Sequence, residues 1–227
     1  MEVDAVALPD KLWRGYSEPD RVHADAFVGA GRIRLNALAY HRTNEDKVRG
    51  DPAEGSARLR VPGDVTTIHL HPQTGQKMGE TTEPGLLNFS SESLQATYLF
   101  CLSTTQAGAT RFGQTLVEVF APGRFLDSLG AALHALEPGL GPGLEVAVVD
   151  ALPVRYDKGT IASSAPNHLE LVRLPYSQKA PGFATEYEYR IAVVLSGLQE
   201  DAPRYLDLVL PDVGTFAKLL GRQGQPG

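Results

Sequence analysis

The sequence predicts a mixed α+β domain whose sheet is largely antiparallel. Three observations support this fold class: several short segments with alternating apolar residues, one long segment with helical apolar spacing, and turn residues that separate them throughout the chain. Roughly eight to ten strands and three or four helices are expected from these patterns. The 227 residues fit one large domain or two small ones. Because no boundary stands out, we predict a single domain over residues 1–227.

The N-terminal region predicts a strand, a helix and a second strand. Apolar and aromatic residues define a strand over Lys11–Tyr16. Ser17 is a suitable N-cap, and the proline and acidic residues beside it favour the first turn of a helix over about Pro19–Val28, which a following glycine can end. Alternation then predicts a strand over Arg32–Tyr40. The helix side chains that we expect to face inward are Val22, Ala26 and Phe27.

Two long polar segments interrupt the middle of the chain. Residues 41–55 and 71–85 are rich in turn residues, so we predict a loop for each of them. Loops of this length in a compact domain are usually functional or mobile. Strands are predicted between these loops at Ala57–Val61 and Val65–Leu70.

The second half of the chain contains the clearest strand and helix patterns. Thr97–Thr104 is apolar and β-branched with a polar end, as expected of a buried strand, and Thr115–Phe120 is a further strand. Pro122–Leu136 has leucines and a phenylalanine at helical spacing. Leu144–Val149 and Pro153–Tyr156 are two strands or one bent strand. The remaining predicted elements are strands at Phe183–Leu195 and Tyr205–Leu210 and helices at Asn167–Leu174 and Asp212–Leu220.

Composition excludes several classes of protein. Hydrophobic residues make up 42% and charged residues 21% of the chain, which is ordinary for a globular protein with a core. The formal net charge of −6 gives no broad electrostatic attraction to nucleic acid, and no apolar run approaches the ~18 residues of a membrane span. One cysteine, Cys101, excludes an internal disulfide. Together with the lack of a signal peptide pattern, it indicates a cytoplasmic protein without a membrane partner.

One predicted strand carries two carboxylates and a guanidinium at one end. Apolar side chains alternate along Phe183–Leu195, which places Glu186, Glu188 and Arg190 together on the opposite face. That face becomes apolar further along the strand, so the charged end adjoins the core. A solvated sheet edge has this pattern, and so does a catalytic site.

Three short motifs lie at predicted strand ends. They are Leu12-Trp-Arg-Gly-Tyr16, Phe100-Cys-Leu-Ser-Thr-Thr105 and Thr185-Glu-Tyr-Glu-Tyr-Arg190. In this order they resemble the Arg … Ser-Thr-Ser … Glu-x-Glu pattern of NAD-dependent ADP-ribosyltransferases, with threonine at position 105 where that pattern has serine. The resemblance implies a split, mostly antiparallel β-core with helices packed on it. The ending Lys179 … Phe183 … Glu186-x-Glu188-Tyr-Arg190 also resembles uncharacterised bacterial proteins that are associated with mobile elements.

The resemblance implies roles for the residues that match the pattern. Cleavage of the nicotinamide–ribose bond of NAD develops positive charge on the sugar, which the carboxylate of Glu188 would stabilise. Glu186 would orient the acceptor or take up its proton, and Arg14 would bind the phosphate or ribose of NAD. Ser103 and Thr104 would brace the pocket through hydrogen bonds.

Two tyrosines and a set of partners complete this expectation. Tyr16 and Tyr40 can stack on nicotinamide or adenine, or they can pack in the domain with their hydroxyls at the rim. The implied function is transfer of ADP-ribose from NAD to a macromolecular acceptor, as a toxin or an effector of phage defence. An antitoxin or immunity protein would then be a partner.

Two other functions remain open. A non-catalytic binding or regulatory module could use the same scaffold, and the residues above would then be dispersed over it. A metal-dependent nuclease could use the acidic loop over residues 45–54, whose carboxylates suit a divalent cation. The histidine pair at His69 and His71 has a spacing that a metal can use. The acidic residues of that loop are Glu45, Asp46, Asp51 and Glu54.

Overall fold

The computed structural model describes residues 7–43, 57–70, 76–89, 96–141, 143–156, 160–162, 173, 176–196 and 202–220. Within these residues the chain forms eleven β-strands and four α-helices, and the predicted α+β class is confirmed. The strands are β1 (Leu12–Tyr16), β2 (Arg32–Ala37), β3 (Ala57–Leu70), β4 (Lys77–Phe89), β5 (Thr97–Ser103), β6 (Thr115–Val119), β7 (Glu145–Pro153), β8 (Thr160–Ala162), β9 (Glu188–Ser196), β10 (Tyr205–Val209) and β11 (Ala217–Leu220). The helices are α1 (Arg21–Ala30), α2 (Leu38–Thr43), α3 (Gln106–Thr110) and α4 (Pro122–Leu136).

Eight of the strands form one antiparallel sheet that divides into two arms. β9 pairs with β5 along its whole length, and β7 pairs with the other edge of β9. The remaining edge of β5 is shared, because β2 pairs with Tyr98 and Leu99 whereas β1 pairs with Ser103. β10 extends the arm of β2, and β6 and β11 extend the arm of β1. The arms leave residues 100–102 without a strand partner on this edge, within the described part of the chain, and this gap positions the site.

One face of the divided sheet packs against α1 and α4 to form the main core. Four phenylalanines from different elements meet there, with ring centroids between 5.8 and 6.3 Å apart. They are Phe27, Phe100, Phe125 and Phe216. The apolar face predicted for β9 is confirmed, because Tyr189, Ile191, Val193 and Leu195 are all buried in this core. A smaller apolar cluster consists of Leu38, Leu99, Tyr176 and Ala192.

Most of the regular elements lie where the sequence predicts them. β1, β5, β6, β10 and α4 agree with the prediction to within one residue at each end. The two segments predicted between residues 144 and 156 are one strand, β7, whose register shifts between Val146 and Val148. Of the short helix predicted over Asn167–Leu174, only residue 173 lies among the described residues.

α1 is offset from its prediction by two residues at each end, about half a turn. It begins at Arg21, with Asp20 at the N-cap position, and Ser17 Oγ donates a hydrogen bond to Asp20 Oδ2 at 2.5 Å. Gly31 ends the helix in the left-handed region at a φ of 66°. Val22 is 64% exposed, which contradicts its predicted inward orientation. This shift turns the N-terminal half of the helix towards the gap in the sheet.

The strand predicted over Arg32–Tyr40 is too long. β2 ends at Ala37 and α2 begins at Leu38. Leu38 is fully buried in the cluster that contains Leu99, so tertiary packing outweighs the weak alternation of these residues. The turn into α2 brings Tyr40 to the gap between the two arms.

The strand predicted over Phe183–Leu195 is also too long. Pro181–Glu186 forms a 3-10 turn, and Tyr187 has a left-handed φ of 48° before β9 begins at Glu188. Tyr187 is therefore exposed instead of lying on the core face. The expectation that both glutamates share a strand face was wrong, because Glu186 lies in the turn that precedes the strand.

Two further predictions were wrong for physical reasons. Residues from Lys77 onward form β4, paired antiparallel with β3, instead of the loop predicted to residue 85. The described side chains at residues 80–82 are exposed and polar, so this part of the strand has no apolar alternation to mark it. The helix predicted over Asp212–Leu220 is a 3-10 turn followed by β11, because Phe216 enters the core and the residues after it pair with β6.

Candidate functional site

The gap between the two arms opens into a cleft of about 960 Å³. β1 lines one wall and β2 and β10 the other, with side chains from β5, β9, α1 and α2 completing the lining. Four of the residues predicted to form the site line this cleft: Arg14, Tyr16, Tyr40 and Glu188. Ser103, Thr104 and Glu186 are not among the described residues that line it.

Glu188 is held by two cations where β9 meets the cleft. Arg190 Nε donates to Glu188 Oε1 at 2.8 Å, and its Nη2 lies 3.3 Å from Oε2. Lys179 Nζ lies 2.9 Å from the same Oε2. All three side chains are almost completely buried, with 1–6% of their surface exposed. Arg190 is itself fixed, because its Nη1 donates to the carbonyl oxygen of Tyr176 at 2.8 Å.

The two glutamates of this region have opposite pKa shifts. Burial alone raises the pKa of Glu188, but the positive charges of Arg190 and Lys179 outweigh it and hold the pKa below its ordinary value. Burial also raises the pKa of Glu186, and there the attraction of Lys179 does not compensate fully. The shift of the Glu188 pKa therefore favours its ionised form, whereas the shift of the Glu186 pKa opposes ionisation.

Glu186 faces away from the cleft lining and belongs to a brace behind it. Its carboxylate accepts a hydrogen bond from Lys179 Nζ at 2.8 Å, so one lysine serves both glutamates. Ser103 Oγ donates to the carbonyl oxygen of Glu186 at 2.7 Å and accepts from the backbone N–H of Thr105. The backbone N–H of Thr104 donates to the carbonyl oxygen of Tyr187 at 2.8 Å. These bonds tie the end of β5 to the turn that precedes Glu188.

The short helix α3, which the sequence patterns did not reveal, supports this brace. Thr105 caps it, accepting a hydrogen bond on Oγ1 from the N–H of Gly108 at 3.0 Å. A Cβ on Gly108 would lie 2.3 Å from the carbonyl oxygen of Glu186 and 2.4 Å from Ser103 Oγ. A Cβ on Gly15 would lie 2.0 Å from the carbonyl oxygen of Ala109. Glycine at these two positions therefore lets α3 pack against both β1 and the Pro181–Glu186 turn, which we call the glutamate turn.

Arg14 crosses the gap from the β1 arm. Its Nη1 donates to the carbonyl oxygen of Cys101 at 2.7 Å, at one of the β5 positions that lack a strand partner. The guanidinium lies 4.0 Å from the ring centroid of Phe100 and 5.3 Å from that of Tyr16. Burial raises the pKa of the Tyr16 hydroxyl, and Arg14 partly offsets that increase. Arg14 is thus held by one hydrogen bond and two ring contacts, and its planar guanidinium suits an anion that accepts two parallel hydrogen bonds.

The outer part of the cleft is lined by arginines and tyrosines. Arg34 makes two hydrogen bonds to Asp207, at 2.6 and 2.7 Å, and lies 3.8 Å from the ring centroid of Tyr205. Arg204 lies 6.0 Å from the ring centroid of Tyr40. Among the described lining residues, six carry a positive charge and three a negative charge, although the whole chain has a net charge of −6. The cleft therefore favours an anionic ligand that also has planar rings.

Cys101 lines the cleft beside Glu188 but is not activated for covalent chemistry. Burial raises the pKa of its thiol well above its ordinary value, and the negative charge of Glu188 adds to that effect. A thiol that stays protonated is a weak nucleophile, so Cys101 is not a candidate for covalent catalysis.

Most residues on which the nuclease hypothesis depends lie outside the described part of the chain. The acidic loop at positions 45–54 and His71 belong to segments that the structure does not describe, and only the backbone of His69 is described, in β3. Within the described residues, no group of three or more His, Cys, Asp or Glu side chains is arranged to hold a metal ion.

Three residues of the cleft carried little or no signal in the sequence. Lys179 belongs to the ending that resembles the mobile-element proteins, a resemblance that gave it no role, and Arg190 could equally form an ordinary structural ion pair. His41 begins a polar segment predicted as a loop, and nothing in its neighbourhood indicates that α2 carries it into the cleft. Lys179 and Arg190 contact Glu188, and the charges of Glu188, Lys179 and Arg190 all influence the pKa of His41.

Comparisons with known proteins add no family to these observations. No protein-family model, curated protein or solved structure matches the chain. In the described part of the chain, no helix has the length and apolar character needed to span a membrane.

Proposed function

We propose that the cleft binds NAD, cleaves its nicotinamide–ribose bond and transfers the ADP-ribosyl group to a macromolecular acceptor. The single observation that carries the proposal is the convergence of Arg14 and Glu188, which are far apart in the sequence, on one cleft between the arms of the sheet. The sequence resemblance requires Arg14, Ser103 and Glu188 to converge on one cleft. Ser103 does not line the cleft among the described residues, but it is bonded to the turn that precedes Glu188. A dispersed arrangement would have argued for a non-catalytic module instead.

The charges and rings of the cleft support a dinucleotide as the ligand. NAD combines a pyrophosphate with two ring systems, and the lining combines an excess of arginine and lysine with Tyr16, Tyr40 and Tyr205. Arginine binds phosphate through two parallel hydrogen bonds, and tyrosine offers a flat face for a base. Arg14 is the arginine nearest the gap at Cys101 and is our candidate for the phosphate or ribose contact.

Glu188 is the candidate for the group that promotes cleavage. When the bond between the ribose carbon and the nicotinamide nitrogen breaks, its electron pair leaves with the nicotinamide and positive charge develops on the sugar. An ionised carboxylate that is fixed before the reaction stabilises that charge without reorganising. Arg190 and Lys179 keep Glu188 ionised and hold it in one orientation. The acceptor then bonds to the ribose carbon and loses a proton.

The role of Glu186 in this reaction stays a prediction. Its carboxylate is buried and bonded to Lys179, so it can influence the acceptor only if Lys179 or the glutamate turn moves. Its observed contacts support a positioning role, in which it fixes Lys179 against Glu188. A role as a toxin or defence effector, controlled by an antitoxin or immunity protein, would follow from the loss of cellular NAD.

The proposal is tested with NAD that is labelled separately in the nicotinamide and adenylate parts. The purified protein is incubated with a bacterial lysate, and we expect free labelled nicotinamide together with adenylate label in the protein or nucleic acid fraction. Arg14→Lys keeps the charge but loses the planar fork, so KM for NAD should rise about 10–100-fold. NAD that stays intact, or turnover that requires added metal and cuts nucleic acid, would reject the proposal.

A further inference from the structure

One buried nitrogen in the cleft lacks a partner. The Nε2 atom of His41 is shielded from solvent, and among the described residues it has no hydrogen-bond partner. The other described side chains with such atoms, Thr97, Gln178 and Tyr189, do not line the cleft, whereas His41 does. Buried polar atoms are nearly always bonded, so an unpaired one inside a candidate binding site suggests a ligand contact.

Packing alone does not explain a histidine at this position. The imidazole makes an edge contact with the neighbouring Tyr40, at 5.7 Å between centroids and 83° between planes, which an apolar ring would make equally well. Burying an unpaired ring nitrogen costs stability that a phenylalanine or leucine would not lose. The fold therefore tolerates an unfavourable group where the cleft meets α2.

The charges around His41 determine its form. Burial and the positive charge of Arg190 lower the pKa of His41 to about 3, with Lys179 and Arg14 acting in the same direction. The carboxylate of Glu188 acts in the opposite direction but does not prevail. The imidazole is therefore neutral at physiological pH, and it is suited to a neutral polar group of a ligand more than to a phosphate.

We propose that His41 is a substrate-binding residue whose Nε2 forms a hydrogen bond with a hydroxyl group of the ribose that Glu188 faces. The inference rests on the proposed function, which places that sugar beside Glu188. A hydroxyl both donates and accepts, so it satisfies the imidazole in either tautomer. Through this bond the neutral ring positions the sugar while Glu188 meets the developing charge.

The experiment compares NAD with analogues that lack the 2′- or the 3′-hydroxyl of the nicotinamide ribose. In the wild-type protein, loss of the contacted hydroxyl should lower kcat/KM for nicotinamide release about 10–100-fold, because the buried nitrogen is left unpaired. In His41→Ala, kcat/KM for the same analogue should be less than about 3-fold below that for NAD. His134→Ala, on the exposed side of α4, is the matched control and should keep the wild-type ratio.

Two further measurements separate binding from folding. His41→Leu should be at least as stable to urea as the wild type, because it removes an unpaired polar atom, and a clear loss of stability would indicate a structural role and overturn the proposal. In wild-type protein labelled with ¹⁵N-histidine, millimolar ADP-ribose should shift the Nε2 resonance of His41, and an unchanged resonance in the bound state would also overturn it.

The failures of the two proposals are distinguishable. Equal analogue ratios in the wild type and His41→Ala, in a protein that cleaves NAD, overturn only the His41 contact. The 3-acetylpyridine analogue of NAD lacks amide N–H donors. If His41→Ala changes the ratio of kcat/KM between NAD and this analogue, and not the ratio for the deoxyribose analogues, His41 contacts the base and the sugar contact is overturned. A wild-type protein that releases no nicotinamide and binds no ADP-ribose rejects both.

Discussion

Two glutamates of this protein are each held between two cations, and their surroundings differ. Glu118 on β6 is bonded to Lys11 at 2.6 Å and to Lys218 at 2.9 Å, and both lysines are about half exposed. Glu188 on β9 is bonded to Arg190 and Lys179, and both of those side chains are buried. The pKa is lowered in both cases, for Glu118 through its hydrogen bond with Lys11 and for Glu188 against the effect of burial.

The difference in exposure separates an ion pair that only stabilises the fold from one that can take part in a reaction. The lysines beside Glu118 pair across neighbouring strands and remain largely solvated, so water screens the pair and limits its contribution. The cations beside Glu188 are fixed by further contacts, and the carboxylate still faces a cleft. A charged group that is buried, fixed and accessible to a ligand is typical of a functional site.

The largest expected contrast is in activity. Glu188→Gln should lower the rate of NAD cleavage about 10²–10⁴-fold, because it removes the charge that stabilises the sugar and changes little volume. Glu118→Gln is the matched control and should change the rate less than about 2-fold. A fluorescence assay of NAD consumption measures both. Similar losses in the two variants would mean that the effect comes from the fold and not from the cleft.

The next contrast is in stability. Arg190→Met leaves the buried Glu188 carboxylate with Lys179 alone, and we expect the free energy of unfolding to fall by about 3–5 kcal/mol. Lys218→Met leaves the Glu118 carboxylate bonded to Lys11, whose ammonium is about half exposed and screened by water, so the loss should be about 0–1 kcal/mol. Urea unfolding of both variants gives the comparison. Equal losses would contradict the distinction between the buried and the solvated cluster.

The brace behind Glu188 should contribute a smaller amount. Ser103→Ala removes the hydrogen bond to the carbonyl oxygen of Glu186 in a buried position, which should cost about 1–3 kcal/mol. Ser128→Ala removes a similar bond, to the carbonyl oxygen of Pro211, at an exposed position, and the cost should stay below about 0.5 kcal/mol. If Ser103→Ala unfolds in urea like the wild type, the brace does not hold the glutamate turn.

The smallest contrast concerns pH. The pKa of Glu188 is lower in the folded than in the unfolded protein, so its ion pairs stabilise the fold at pH values above the ordinary carboxyl pKa of about 4.3. The difference in stability between the wild type and Glu188→Gln should therefore persist at pH 7 and shrink as the pH falls below that value. Thermal unfolding from pH 7 to pH 3 measures it. A difference that grows on acidification would contradict the lowered pKa.

Much of the fold could be predicted because apolar periodicity records burial on one face. The apolar face of β9 and the helix α4 were predicted in this way, since their side chains pack in a single core. The ribbon of β3 and β4 has no such face among its described side chains, so Lys77–Phe89 had no pattern to recognise. The helix α2 depends on the burial of Leu38 against another strand, which local sequence does not reveal.

The sequence predicted the site residues that belong to a motif. It did not predict those that only tertiary contacts bring to the cleft. Arg14 and Glu188 were found through their motifs, and the divided sheet brings both to one cleft. Lys179 and His41 lie outside the motifs that resemble the ADP-ribosyltransferase pattern, and tertiary packing brings both into the cleft. The alternation rule also misplaced Glu186, because the left-handed residue Tyr187 interrupts the strand between the two glutamates.

The central claim is that this cleft breaks the bond between nicotinamide and ribose. The most direct measurement is a proton NMR time course of NAD with the purified wild-type protein, followed beside Glu188→Gln and Glu118→Gln. We expect free nicotinamide to accumulate with the wild type and with Glu118→Gln, and to remain near background with Glu188→Gln. NAD that stays intact in all three samples, with the proteins folded and a lysate supplied as acceptor, would contradict the account.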